Sequence, residues 1–274
     1  MNIVQRNFFR LLRIGAFNTD EQIEPMSVSK WSRLYQLSIM HDVTAYIYDG
    51  LQRSRNQFFV HLTEQQWQEW ETAANKPHRS DPMEMEEDDL LRPDHLTNPV
   101  LNHQLQTILD NEESDTTTRR LLLIIIRIAR HLLNEGMPVH QLLELGYFLR
   151  NEGRRADFTI LRQWINSLRM TQMAQLECEM LVLLYGFTHE ELSFIEEKKD
   201  KRIEKIAQEL VEFTNTRSQD WYFSQEGDNI FVRNNTSAMF SHVRRSARYF
   251  RYYPSESITN FFASFVHSLS HIEE

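Results

Sequence analysis

The chain has 274 residues, a net charge of −9 and hydrophobic and charged contents of 41% and 25%, values ordinary for a globular protein able to bury a sizeable core. Only 7 residues are glycine, well below the usual ~7%, which predicts long helices with short connections and argues against a Gly-rich nucleotide loop. The single cysteine, Cys178, excludes an internal disulfide framework and a Cys-based zinc cage. It reads as a buried thiol and fits a reducing cytoplasm.

Helical periodicity starts at once. Residues 2–16 place Ile3, Phe8, Leu11, Leu12 and Ile14 near one side, with Arg6, Arg10 and Arg13 opposite. This segment has no apolar h-region and no small-residue cleavage site, so no secretory signal is expected. Ser27 or Ser29 can cap a helix carrying Trp31, Leu34 and Tyr35, and Val43–Leu51 continues as another. Thr63 with Gln66 forms a capping box ahead of a polar helix to about Asn75. These elements define an N-terminal helical region, 1–76.

Composition then changes. The span 77–115 is acidic and Pro-containing, and 81–115 alone holds 11 acidic residues and one basic one, Arg92. The acidity of the chain therefore belongs to one segment, which reads as a solvated linker or loop. Within it, Asn98–Leu109 carries a helical pattern.

From 116 to 274 lies the predicted helical core, able to pack with 1–76 as one domain. The helix over 117–135 is apolar nearly all round and should be central. At 13 residues, with Arg127, Arg130 and His131 inside it, Leu121–Leu133 is too short and too charged to span a bilayer. Pro138 suits the first position of the next helix, to about Arg150. Asp157 can cap 158–169, and Thr171 can cap 172–185, which Gly186 ends. Residues 189–214 give one or two helices split near Lys198. The runs Trp221–Phe223 and Ile230–Val232 predict one short β-hairpin, 221–232. Helices over about 236–252 and after Pro254 close an otherwise all-α bundle.

Three blocks resemble a family of uncharacterised bacterial nucleotidyltransferases, a branch of the polymerase-β-like superfamily. They are FFRLLRIGAF with KWSRLYQLSIMHDVTAYIYDGLQ, then IIRIARHLLNEGMPVHQLLELGYFLR, then SARYFRYYPSESITNFFASFVHSL. They follow the family's order and cover well over half the chain. Where the family tends to have a Gly-Leu-Arg-Gln-like turn and an Asp-Trp-like pair, this chain has Met137-Pro138-Val139-His140-Gln141 and Glu144-Leu145. The resemblance implies a catalytic module between the first and second blocks, with a Gly-Gly or Gly-Ser turn for the triphosphate and an Asp-x-Asp pair for Mg²⁺. The chain has no Gly-Gly, no Gly-Ser and no glycine between Gly50 and Gly136. Only residues 71–118 are available for a module that usually needs roughly 100 residues. Asp110-Asn111-Glu112 and Asp88-Asp89 are the nearest decoys and lack the required context. No catalytic residue and no metal ligand is expected.

Two candidate sites remain. Arg127, His131 and Asn134 share one stripe of the central helix, while His140, Gln141 and Glu144 follow on the next. They read as a residual pocket with Arg127 as anion clamp, or as a polar network that satisfies the helix interface. Arg244, Arg245, Arg248 and Arg251, beside Tyr249, Tyr252 and Tyr253, form a basic face. It suits an acidic partner or, less well given the net charge, nucleic acid; the alternative is a solvated face. His267 and His271 have metal-compatible spacing but no accompanying carboxylate motif. The stripe Phe261, Phe262, Phe265 reads as core packing, with a homo-oligomer interface as the second reading.

The expected function is thus a non-catalytic, nucleotidyltransferase-like binding protein for a protein partner or ligand, with no cofactor. One alternative is an active enzyme whose diverged site holds Mg²⁺. The other is a weak nucleic-acid binder using the Arg244–Arg251 face.

Overall fold

A computed structural model describes residues 1–75, 95–111, 115–134, 139–196, 201–203, 205–206 and 249–270, with side chains to 262 in the last span. The predicted hairpin at 221–232, Arg244, Arg245, Arg248, Asp88, Asp89 and His271 lie outside these residues. So do most of the acidic segment and the side chains of Phe265 and His267.

The described chain is all-α. Its helices are α1 (Ile3–Phe17), α2 (Val28–Met40), α3 (Thr44–Arg53), α4 (Glu64–Ala74) and α5 (Pro99–Leu109). They continue with α6 (Thr116–Asn134), α7 (Val139–Asn151), α8 (Phe158–Ser167), α9 (Thr171–Tyr185) and α10 (Pro254–Ser270). A 3₁₀ turn at Gly153–Arg155 joins α7 to α8. No strand occurs among the described residues, and none of their helices is long and apolar enough to cross a membrane.

Several boundaries follow from local chemistry. Thr63 and Gln66 form the reciprocal box read from their spacing. Asp157 Oδ1 accepts from the backbone N–H groups of Thr159 and Ile160, satisfying donors a helix start leaves open. Gly186 ends α9 at φ 68°, a left-handed conformation that disfavours a side chain. Thr171 differs from expectation: Met170 is the N-cap, and the Thr171 hydroxyl donates to Asn166 Oδ1 at 2.6 Å. Ser27 is the α2 N-cap by position, but its hydroxyl pairs with that of Ser29 rather than with a helix N–H.

Helix α6 is the axis of the C-terminal part. Leu121 through Ile126, Ile128, Ala129, Leu132 and Leu133 are all buried, and α7, α8 and α9 pack around it. Helix α1 crosses α3 at very short range. A Cβ at Gly15 would overlap the Tyr46 carbonyl oxygen, and one at Gly50 would overlap that of Leu11.

Helix α1 also reaches the C-terminal part. Arg13 Nη1 donates to the Leu184 carbonyl at 2.5 Å, and Phe9 and Phe17 stand edge-on to the Tyr185 ring. The polar side of α1 is paired: Arg6 and Arg10 hold Glu24, and Arg13 holds Glu21, each at 2.6 Å.

Two outcomes are expected. Gly50→Ala puts a methyl group against backbone that cannot rotate away, and should lower unfolding free energy by about 3 kcal/mol, read by chemical denaturation. The Arg6 hydrogen bond, helped by Arg10, holds the Glu24 carboxyl down to about 2. A depressed carboxylate stabilises the fold above its unfolded value and loses that contribution as pH falls through the folded value. Glu24→Gln should therefore flatten the stability-versus-pH curve between about pH 4.5 and pH 2, followed by circular dichroism.

Candidate functional site

Helices α6 and α7 run antiparallel, so stripes of the two face each other. On α6 the half-exposed positions include Arg120, Arg127, Arg130, His131 and Asn134, between buried aliphatic residues. On α7 the neighbouring row is Gln141, Glu144 and Phe148. Three rungs result. The Arg120 guanidinium lies 5.8 Å from the centre of the Phe148 ring. Arg127 Nη2 donates to Glu144 Oε1 at 2.6 Å. Gln141 Nε2 stands 3.3 Å from His131 Nδ1, where the amide donates and the ring nitrogen accepts.

The Arg127–Glu144 pair is asymmetric. The Glu144 side chain is 7% exposed and that of Arg127 is 39% exposed. The carboxylate has given up most of its water and receives a charge-assisted hydrogen bond from the guanidinium. The guanidinium carries five N–H donors in a planar fork and still reaches solvent. The seam can therefore hold an anionic group at its outer edge, as a bidentate fork does for phosphate or carboxylate.

Two residues assigned to the same pocket have other partners. His140 Nδ1 donates to the Asp42 carbonyl at 3.0 Å, pinning the α2–α3 turn, where Asp42 has φ 53°. Asn134 Oδ1 accepts from Asn260 Nδ2 at 2.7 Å, tying the end of α6 to α10. The stripe thus divides: Arg127, His131, Gln141 and Glu144 form the seam, while His140 and Asn134 bond to neighbouring elements.

Of the basic face, Arg251 is described and is exposed. Phe262 is 59% exposed and stacks edge-on to Phe261, so it is not the core residue its spacing suggested. Asp110 is the C-cap of α5, and it and Asn111 are exposed. Cys178 is buried and free, and burial pushes its thiol well above the ordinary range, so it is an inert core thiol. Among the described residues no group of three or more His, Cys, Asp or Glu could hold a metal ion.

Two arrangements were not visible in the sequence. Arg150 is sandwiched between the rings of Phe17 and Phe187, 4.5 and 4.1 Å from their centres, and its Nε donates to Glu191 Oε1 at 3.0 Å. One turn earlier, Gly146 lets the same rings approach; its Cβ position lies 3.1 Å from both. Separately, Tyr35, Gln65, Gln68, Glu69, Thr72 and Ala73 line an open groove of about 350 Å³ on α2 and α4. That groove offers neutral hydrogen bonds and one carboxylate, but no cation for an anionic ligand.

Comparison of the chain with protein-family models, with curated proteins and with solved structures finds no match.

The seam makes a measurable claim. Arg127→Met removes the cation that faces a buried carboxylate and should cost about 1–3 kcal/mol, below the loss for a fully buried pair because the guanidinium is part-exposed. A second substitution, Glu144→Gln, should recover much of that loss. Chemical denaturation of the two single variants and the double variant measures the coupling, and strict additivity would show that the pair contributes nothing.

Proposed function

We propose that the chain is a non-catalytic, nucleotidyltransferase-like helical scaffold that binds an anionic ligand, or the acidic group of a protein partner, at the α6–α7 seam. The observation that carries this reading is the part-exposed Arg127 fork, oriented by a buried carboxylate and set beside His131. A guanidinium held in one orientation loses little side-chain freedom when a ligand arrives. Arg120 and Arg130, both half-exposed on the same helix, add positive charge along it.

Kinship with the bacterial nucleotidyltransferases rests on the three sequence blocks and accounts for a polar seam at this position. Transfer itself would need two or more carboxylates converging beside backbone donors. Glu144 is committed to Arg127 and Asp110 is a helix cap, so neither is arranged for that work. The cellular setting we propose is a reducing bacterial cytoplasm, where a buried lone thiol such as Cys178 stays reduced.

Thermal unfolding with pyrophosphate, ATP or citrate, with and without Mg²⁺, tests this reading. A ligand at about 100 times its dissociation constant adds about 2.7 kcal/mol, or a rise of several degrees in Tm for a chain of this size. The rise should not require Mg²⁺, and it should vanish in Arg127→Met measured against that variant's own baseline. Stabilisation by ATP that depends on Mg²⁺ and is accompanied by pyrophosphate release would establish the enzymatic alternative. No shift with any anion would remove the anion site.

A further inference from the structure

The loop between α3 and α4, residues 54–63, turns two phenylalanines outward. Phe58 is 78% exposed, more than any other large apolar residue among the described ones, and its neighbour Phe59 is 41% exposed. Their rings stand edge-on with centres 5.1 Å apart, and the exposed His61 ring lies 5.8 Å from that of Phe58. An aromatic ring is among the side chains that gain most by leaving water. A pair of them kept at the surface marks a place that meets something apolar.

The loop cannot fold the pair away without breaking its own anchors. Gln57 is held through both atoms of its amide: Oε1 accepts from the Ile23 N–H and Nε2 donates to the Glu21 carbonyl, each at 2.8 Å. The Gln57 N–H donates to the Ser54 carbonyl at 2.9 Å, and the Val60 N–H donates to the Gln57 carbonyl at 3.1 Å. Val60 is itself buried. With the residues before and after them seated, Phe58 and Phe59 are left at the tip.

The charge around the tip has one sign. Residues 50–63 contain Arg53, Arg55 and His61 and no Asp or Glu; the nearest acids in sequence, Asp49 and Glu64, belong to α3 and α4. Both arginines are exposed. Arg53 donates to the Ile14 carbonyl and to Asn18 Oδ1, and the Arg55 guanidinium lies 5.2 Å from the centre of the half-buried Trp67 ring. Neither pairs with a carboxylate among the described residues. The arginines of α1 differ, since Arg6, Arg10 and Arg13 are all neutralised by Glu21 and Glu24.

Area decides what covers the tip. A phenylalanine buries at most about 150–250 Å², so two copies meeting through four such rings reach at most about 1,000 Å², below the roughly 1,200 Å² of a stable protein interface. A bilayer needs no matching surface. It accepts a protruding ring among its acyl chains and sets cations against its phosphates.

We propose that the 54–63 loop is an aromatic wedge that inserts Phe58 and Phe59 into the surface of a bilayer containing anionic lipid, with Arg53, Arg55 and Trp67 at the level of the headgroups. Arginine and tryptophan suit that level, because each carries an apolar body and a polar tip. Two rings and two charges make a reversible contact rather than an anchor. The α6–α7 seam contributes no residue to the wedge, so the two sites are tested separately.

Co-sedimentation of the full chain with vesicles is the test, using phosphatidylcholine alone and phosphatidylcholine with about one-third phosphatidylglycerol. The unaltered chain should bind the anionic vesicles and be released as salt is raised. Phe58→Ser should lower its partition coefficient by at least about fivefold. Arg55→Gln should lower it by about fivefold on anionic vesicles and leave neutral ones unchanged. Neither side chain lies in the core, so Tm without vesicles should stay within about 2 °C of the unaltered chain. Phe58→Trp should show a larger blue shift of emission on adding vesicles than the unaltered chain. Phe262→Ser removes the exposed ring of α10 and should bind as the unaltered chain does. Absence of vesicle binding, indifference to Phe58→Ser, or equal loss in Phe262→Ser would overturn the wedge. Self-association or single-stranded oligonucleotide binding that Phe58→Ser abolishes, without any vesicle binding, would assign the tip to that contact and overturn it as well.

Discussion

The close crossing of α1 and α3 is the constraint on which the N-terminal half depends. At Gly15 and Gly50 the two backbones meet with no room for a Cβ on either side. Such an approach places whole helices, not only side chains, in van der Waals contact, and dispersion over many atom pairs makes it strong. It also sets where everything else on α1 points. With Gly15 fixed on α3, Arg13 meets the end of α9, and Phe9 and Phe17 meet Tyr185. The Tyr185 hydroxyl in turn donates to the Val139 carbonyl at 2.8 Å, beneath the first turn of α7. A chain of contacts thus runs from the N-terminal crossing to the helix that carries the seam.

That chain explains why glycine scarcity misled in one respect. Few glycines did mean long helices, as α6 and α9 show. Yet glycine is also spent inside helices, at Gly15, Gly50 and Gly146, where it admits a neighbouring backbone or ring. Composition cannot distinguish a glycine that ends a helix from one that lets another helix in. The difference lies in the partner, which is distant in sequence. Arg150 shows the same limit: its spacing reads as an ordinary basic residue in a last turn, and only the fold brings Phe17 and Phe187 to its two faces.

What was legible was local or periodic. The Thr63–Gln66 box, the Asp157 cap, Gly186 and the buried run of α6 all depend on residues within about one helical turn. The meeting of Arg127 with Glu144 was also readable, because the few residues between the end of α6 at Asn134 and the start of α7 at Val139 leave few registers. His140 was not, since its carbonyl partner at Asp42 lies 98 residues away. Thr171 failed for another reason. Hydroxyls cap helices or bond neighbouring side chains with similar ease, and Asn166 offered the nearer acceptor.

Four glutamates on this scaffold illustrate how environment, rather than residue type, assigns a role. Glu24 lies at the surface between two arginines and favours its charge. Glu144 is buried and paired with the Arg127 guanidinium, so its charge is compensated while the arginine still faces outward. Glu256 is buried too, and spends both oxygens on the start of α5. Glu177 alone of the four has neither cation nor donor among the described residues. Hydrophobic packing does not call for a carboxyl at a fully buried position, and a methionine of similar volume would avoid its desolvation. Of the four, it is the group whose presence stability cannot explain, because ordinary core selection would remove it.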